Sequence, residues 1–307
     1  MPDSSTTPLV GEQEKSGCCT PLAWIRVCFG LMVQAIEVSG EKAIQITVIV
    51  EYFRVLYLWM MLATTGVGIY LTNMFVTHDH TIIIRDVFGA SNICTYLDFP
   101  PATYILPFLY LFPMAFGVIY SVLSMFRIWI ALEEGRITGV EKKLLWAAHI
   151  YSILALMWFE MIFAVSPDRD HPTTMIIHSL PYANLKVAWC VLQIGIVYFG
   201  ARVAWTDFRW GKLFVVVSWI HVTFQCFSML ISNLLVLNAL LDMGPEQLKG
   251  KGRWWSVHDP YNTWLSDVFV NWCGFILNSV IPLAQSHILA CQGFHTHHVT
   301  FQITDNK

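Results

Sequence analysis

Charged residues are scarce in this sequence. Only 13% of its 307 residues are Asp, Glu, Lys or Arg, against roughly a quarter in ordinary soluble domains, and the mean hydropathy is +0.55. The net charge of -3 also supplies no basic excess of the kind that nucleic-acid binding requires. The scarcity of charge excludes a soluble globular domain, and we expect no nucleic-acid partner.

The local signatures of common catalytic sites are also missing. The sequence has no Gly-x-Ser-x-Gly elbow, no His-Glu-x-x-His and no phosphate-cradling loop. Its two histidine groups, residues 78–80 and 295–298, fall in separate loops and do not resemble the clustered boxes of di-iron lipid enzymes. His149 and His221 lie in different apolar runs and give no specific haem signal. We therefore predict no metal and no cofactor, and we assign no catalytic residue.

Disulfide chemistry has little support. Eight cysteines are present, but Cys94 alone falls in a loop expected to face the lumen, so no lumenal pair exists to be oxidised. Cys18 and Cys19 precede an apolar stretch, where reversible palmitoylation is a plausible modification. Two free cytosolic thiols remain an equal alternative.

Long apolar runs dominate the rest of the chain. A membrane-spanning helix needs about 20 mainly apolar residues, and six runs meet this length with short polar junctions between them. The fold class is therefore all-α, a polytopic membrane protein with a six-helix transmembrane bundle. The six predicted spans are Val55–Val76, Tyr104–Leu132, Leu144–Ser166, Thr174–Ala201, Leu213–Leu241 and Val268–Ala290.

A seventh apolar stretch, residues 22–36, is too short to span and contains Arg26. We interpret it as an interfacial amphipathic helix. It gives three regions: a cytoplasmic N-terminal segment (1–53), the six-span domain (54–290) and a cytoplasmic tail (291–307). The first 17 residues, mostly polar, do not resemble a cleavable signal, so we expect them to be retained and disordered.

The distribution of Lys and Arg predicts the orientation. Twelve of these residues fall on the side that holds both termini and five on the opposite side, with the cluster at 249–253 as the main exception. Because cytoplasmic loops carry the positive excess, both termini are predicted to be cytoplasmic.

Ionisable residues inside the spans are the most informative side chains, because each costs a few kcal/mol at a helix centre unless it is paired or faces a cavity. His149 and Glu160 share one face of the third span, Lys186 lies mid-way along the fourth, and His221 lies in the fifth. One interpretation pairs Glu160 with Lys186 as a structural ion pair, or lets them reach the interface. The other makes them part of a pocket for a polar substrate or headgroup.

We predict a substrate-binding site in the lumenal half of the bundle. Polar groups of the third and fourth spans converge there with a lumenal loop, beside apolar walls that suit an amphiphile. The candidate residues are Glu160, Ser166, His178, Lys186, Asp86 and Asp98.

The order of features resembles a known family. It runs from Arg85-Asp86-Val87-Phe88-Gly89 and Asp98-Phe99-Pro100-Pro101, through Glu160, Ser166 and His178, to Trp264, Asn271 and Asn278 ahead of Gly293-Phe294. This order is similar to that of post-GPI-attachment protein factor two and its DRAM and Sfk relatives, over about residues 52 to 294. The resemblance implies a Golgi, ER or endolysosomal protein that supports lipid handling, such as lipid remodelling of GPI-anchored proteins, without an established catalytic residue set.

Two other functions stay open on the sequence. Pro107, Pro113, Pro181 and Pro282 can break helices at membrane depth, as in a small-solute transporter or channel. A structural accessory subunit of a membrane complex is the third possibility. The expected partners are accordingly membrane lipids, with GPI-anchored proteins or a membrane complex as further candidates.

Overall fold

The computed structural model describes residues 31–38, 41–75, 97–165, 172–203, 205, 209–242, 268, 272–291 and 298–304. The described part is mainly helical, with one small sheet. A π-helical segment, Ile276–Val280, directly precedes the last helix. The helices are α1 (Val50–Phe75), α2 (Ala102–Glu133), α3 (Gly139–Phe159), the short α4 (Met161–Ala164), α5 (Pro172–Val203), α6 (Gly211–Asp242) and α7 (Ile281–Cys291).

Five helical segments are long and apolar enough to cross a membrane. Each overlaps one of the first five predicted spans, and their length and apolar composition fit a multi-pass helical membrane protein. The sixth predicted span begins among residues outside the described part, and its described portion, Ile276–Cys291, is a shorter apolar helix. The five segments are Val50–Phe75, Ala102–Glu133, Gly139–Ala164, Ile176–Val203 and Gly211–Leu234.

The outer surface of the bundle is apolar, as lipid contact requires. On α2, Tyr104, Phe108 and Phe112 follow one another at four-residue steps and are 68%, 71% and 57% exposed. Leu106 and Tyr110, on the opposite face of the same helix, are buried. A soluble protein would not expose such a continuous aromatic stripe.

Hydrogen bonds between nearby residues mark the end of α2 and the start of α3. Gly135 adopts φ 69°, and the N–H groups of Gly135 and Arg136 bond to the carbonyls of Leu132 and Ala131, as at many helix C-termini. Thr138 Oγ1 then accepts from the Glu141 N–H at 3.3 Å, while Glu141 Oε2 accepts from the Thr138 N–H at 2.6 Å. This capping box fixes the tight connection between the two helices.

Most helices pack against the helix that precedes or follows them in the chain. α2 packs against α1 and α3, α5 packs against α3 and α6, and α7 returns to α1. Gly117 of α2 lies where α1 and α3 approach, since an added Cβ would come within 2.8 Å of Leu156 and 3.2 Å of Tyr57. Glycine there lets the backbones approach closely.

A three-stranded antiparallel sheet adjoins the helical bundle where α1 begins. Its strands are β1 (Leu31–Val38), β2 (Glu41–Ile49) and β3 (His298–Thr304), in the order β1-β2-β3. β2 leads directly into α1, and β3 follows α7, with Thr47 opposite Thr300. The sheet therefore joins the segment before the first helix to the segment after the last.

The sheet corrects two of the predictions. The fold is not purely α-helical, and the interfacial helix expected over 22–36 is wrong for residues 31–36, which belong to β1. Residues 22–30 lie outside the described part. Residues 31–38 form a strand because their backbone N–H and C=O groups can bond to those of β2 along the whole length of β1.

Candidate functional site

Asp98 and His178 meet where the turn before α2 contacts α5. His178 Nδ1 lies 2.7 Å from the Val165 carbonyl, to which it donates, so a neutral imidazole presents Nε2 as an acceptor. Nε2 lies 3.4 Å from Asp98 Oδ1, and both side chains are almost fully buried. Burial raises the pKa of the Asp98 carboxyl well above its ordinary value of 3.8, which favours a protonated carboxyl at this contact.

The other predicted site residues are placed differently. Glu160 forms the break between α3 and α4 and is half-buried. Lys186 lies on the inner face of α5, two helical turns beyond His178. Asp86 and Ser166 lie outside the described residues, as do the proposed lipidation sites Cys18 and Cys19.

Lys186 lines a cavity with about 780 Å³ of space between atoms, which we name the Lys186 cavity. Its walls come from α1, α2, α3, α5 and the segment before α7. Most of the wall is apolar or aromatic, and a few polar side chains line it together with Lys186. The apolar wall includes Met61, Leu62, Phe159, Phe163, Trp189 and Phe275, and the polar groups include Thr64, Thr65, Asn278 and Ser279.

The Lys186 ammonium contacts a side chain of α6 and an aromatic ring of its own helix. Its Nζ donates to Ser232 Oγ on α6 and lies 4.1 Å from the centre of the Tyr182 ring, a cation–π contact. Among the ion pairs between described residues, none within 4.0 Å joins Glu160 to Lys186. The hydroxyl and the aromatic ring both stabilise the buried cation.

A row of buried polar side chains on α6 was missed as a unit by the sequence analysis, although His221 was noted. The row is spaced three and four residues apart, which places it on one face of a helix. All five members are buried. The three- and four-residue spacing of polar residues inside an apolar run could have indicated this row from the sequence. The row consists of Ser218, His221, Gln225, Ser228 and Ser232.

This row takes part in a chain of hydrogen bonds through the bundle, which we name the polar seam. The seam connects four helices in the order α1, α5, α7 and α6. Arg54 donates to Gln193 Oε1, and Gln193 Nε2 donates to Gln285 Oε1 at 2.8 Å. Gln285 Nε2 lies 3.3 Å from Ser218 Oγ and 3.4 Å from His221 Nδ1.

The seam ends on the π-helical segment. His221 Nε2 lies 2.8 Å from the Leu277 carbonyl, and Gln225 Nε2 donates to Asn278 Oδ1 at 2.7 Å. A π-helical turn shifts the regular backbone bonding, so its carbonyls can serve side-chain donors. Asn278 also lines the Lys186 cavity, so the seam reaches that cavity.

Comparisons with protein-family models, with curated proteins and with solved structures find no match to this chain. The likeness to the post-GPI-attachment family therefore rests on the quoted residues. Function has to be argued from the cavity and its chemistry.

Proposed function

We propose that this protein handles lipids, binding an amphiphile in the Lys186 cavity. The observation that supports the proposal is a largely apolar cavity at membrane depth that contains one buried ammonium group. A ligand with an apolar chain and a negatively charged headgroup suits both features, because the chain contacts the aromatic wall and the headgroup accepts from Lys186.

The energetics of the lysine favour a ligand role. A buried cation in a membrane protein is costly, and proteins keep one mainly where it is paired or faces a cavity. Lys186 both contacts polar and aromatic groups of the bundle and lines the cavity. An anionic headgroup in the cavity would accept a charge-assisted hydrogen bond from its ammonium group.

Photocrosslinking in nanodiscs tests the proposal. The purified protein is illuminated with a diazirine-bearing phosphatidylserine or with its phosphatidylcholine counterpart, and the crosslinked peptides are identified by mass spectrometry. We expect labelling of the cavity wall by the anionic probe, reduced about tenfold in Lys186→Met, as for loss of one charged hydrogen bond.

Lys142→Met is the matched control. Lys142 also lies over an aromatic ring, with Nζ 4.5 Å from the centre of the Trp146 ring, but it is at the start of α3 and away from the cavity. It should leave labelling unchanged. Equal labelling of wild type and Lys186→Met, with both proteins monodisperse, would refute the proposal.

The family resemblance extends the proposal to lipid remodelling of GPI-anchored proteins in the Golgi or ER. Deleting the gene should then change the surface level or the lipase sensitivity of GPI-anchored proteins, measured by flow cytometry. Rescue by wild type and by Lys142→Met, but not by Lys186→Met, would tie the phenotype to the cavity. Unchanged GPI-anchored proteins on deletion would restrict the proposal to other lipids.

We also propose six crossings, with both termini cytoplasmic. The support is the pairing of β2 with β3, because Ile49 lies opposite His298 and the two ends of the helical part must share one side. Five crossings would separate them, so we propose a sixth crossing that includes the described residues 272–291. Tags at both termini should be digested by protease added to sealed vesicles whose cytosolic face is outward.

The polar seam favours transport as a second candidate function. A buried hydrogen-bonded row that reaches a cavity is a common feature of proton and ion paths. Reconstituted protein should then conduct protons down an imposed gradient, read with a pH-sensitive dye, and Gln285→Leu should slow the flux. Flux equal to that of empty liposomes would eliminate proton transport.

A further inference from the structure

A second cavity lies nearer the sheet, away from the Lys186 cavity. It has about 360 Å³ of space between atoms, and we name it the Arg127 cavity. Its polar lining consists of Glu51 on α1, Ser124 and Arg127 on α2, and His149 on α3. These groups are carried by three different helices, so the bundle itself brings them together.

The charges around this cavity do not cancel. Arg127 Nη2 forms an ion pair with Glu51 Oε1 at 3.1 Å. Arg54, one turn from Glu51 on α1, is 5% exposed and lies 5.8 Å from the ring centre of Tyr120, which lines the cavity. In the described part of the chain, Arg54 has Gln193 as its hydrogen-bond acceptor and no ion-pair partner. The cluster therefore holds two guanidinium groups and one carboxylate.

Several buried nitrogens of this cluster have unused hydrogen-bonding capacity. Among the described residues, Arg54 Nη1, Arg127 Nε and His149 Nδ1 have no partner, and Glu51 Oε2 is the unpartnered carboxylate oxygen. His149 is 4% exposed, and its ring centre lies 6.0 Å from that of Tyr120. The Tyr120 ring thus has Arg54 and His149 as close neighbours. Unused donors at this depth are costly and call for an acceptor.

We propose that the Arg127 cavity binds a phosphate group, with Arg127 and His149 from its lining and the neighbouring Arg54 as donors. A phosphate monoester supplies three acceptor oxygens for three nitrogen donors, and its charge of about -1.5 to -2 at neutral pH is opposite in sign to the net positive charge of the cluster. The Glu51 carboxylate orients Arg127 through their ion pair. The proposal is independent of the Lys186 cavity.

The phosphate can come from a lipid headgroup or from a free anion, and thermal unfolding distinguishes the two. Purified protein is titrated with inorganic phosphate, with chloride as the ionic-strength control, and is separately placed in nanodiscs with or without phosphatidic acid. We expect a saturable rise in Tm with phosphate, with phosphatidic acid, or with both. A rise with phosphatidic acid alone that persists in Lys186→Met and is reduced in Arg54→Gln assigns the Arg127 cavity to lipid headgroups.

Variants localise the effect. Arg54→Gln keeps an amide that can bond to Gln193 and removes the charge, so we expect about a tenfold weaker apparent affinity for phosphate. Arg136→Gln removes an exposed arginine that pairs with Glu134 and should bind as wild type does. Lys186→Met should also bind as wild type, which separates this site from the proposed lipid cavity.

The proposal is overturned if neither probe produces a saturable shift in wild type. It is also overturned if Arg54→Gln and wild type have equal apparent affinity. Should Arg54→Gln fail to fold, His149→Gln takes its place, because it removes one of the three proposed donors while keeping a polar side chain. Unchanged phosphate affinity in a folded His149→Gln protein would then reject His149 as a donor and with it the proposed site.

Discussion

His178 Nε2 lies 3.4 Å from Asp98 Oδ1, and this contact joins the turn before α2 to the first half of α5. The second imidazole nitrogen donates to the Val165 carbonyl at the end of α4. One histidine therefore links the turn before α2, the end of α4 and α5.

This contact predicts a pH dependence of stability that Asp98→Asn removes. Burial raises the pKa of Asp98 in the folded protein above its value in the unfolded chain. The stabilisation that comes with the neutral carboxyl is complete at pH values below the unfolded-state pKa. It is lost as the pH rises through the pKa of the folded state. The difference in Tm between wild type and Asp98→Asn should therefore shrink as pH rises from about 4. Thermal unfolding in detergent measures it, with Glu133→Gln as the exposed-carboxylate control. Parallel pH curves for wild type and Asp98→Asn would contradict the expectation.

Gly200 is predicted to tolerate no side chain. A Cβ at this position would overlap the Trp205 indole ring, whereas a Cβ at Gly66 meets nothing within 4 Å. We expect Gly200→Ala to lower the free energy of unfolding by about 1–3 kcal/mol, as overpacking does. Gly66→Ala, the matched control in α1, should be neutral or slightly stabilising. Similar effects at both positions in thermal unfolding would show that Trp205 does not pack on Gly200.

Gln285 is predicted to be the central member of the polar seam. Gln285→Leu leaves Gln193 without its acceptor and His221 and Ser218 without their donor, which should cost about 2 kcal/mol of unfolding free energy. Gln193→Leu in the same protein removes the other half of one bond, so the double change should cost less than the sum by about 1 kcal/mol. Additive losses in denaturant unfolding would mean that the two glutamines do not interact.

The sheet register can be tested with a disulfide. Thr47 and Thr300 are direct partners in β2 and β3, so Thr47→Cys with Thr300→Cys should crosslink readily under mild oxidation. Thr47→Cys with Gln302→Cys is the matched control, because Gln302 lies opposite Gln45 and is out of register by two residues. Gel mobility of the unreduced proteins reports the bond. Equal crosslinking in both pairs would reject the register.

The membrane helices were predictable because their signal is local. An apolar run of sufficient length specifies a spanning helix without reference to any other part of the chain. The predicted first span, Val55–Val76, and the observed α1, Val50–Phe75, differ mainly at the end where β2 continues into the helix. The first residue of α1 was harder to predict because the strand that precedes it is also apolar.

The sheet was not predicted because its partners are distant. Residues 31–36 are apolar enough for an interfacial helix when considered alone, and their strand conformation depends on pairing with β2 and, through it, with β3 some 250 residues later in the chain. The polar seam was missed for a related reason. Arg54, Gln193 and Gln285 each appear as an isolated polar residue in an apolar run, and only the packing of α1, α5 and α7 brings them into contact.

The position of β3 also has a consequence for biogenesis. β3 follows every described helix in the chain, so its ladder with β2 can form only after all of them have left the ribosome. Until then, β2 exposes an unpaired edge that other strands can occupy. Loss of β3 would leave that edge permanently open in a bundle whose helices are complete. The sheet is therefore completed only after every described helix has been synthesised.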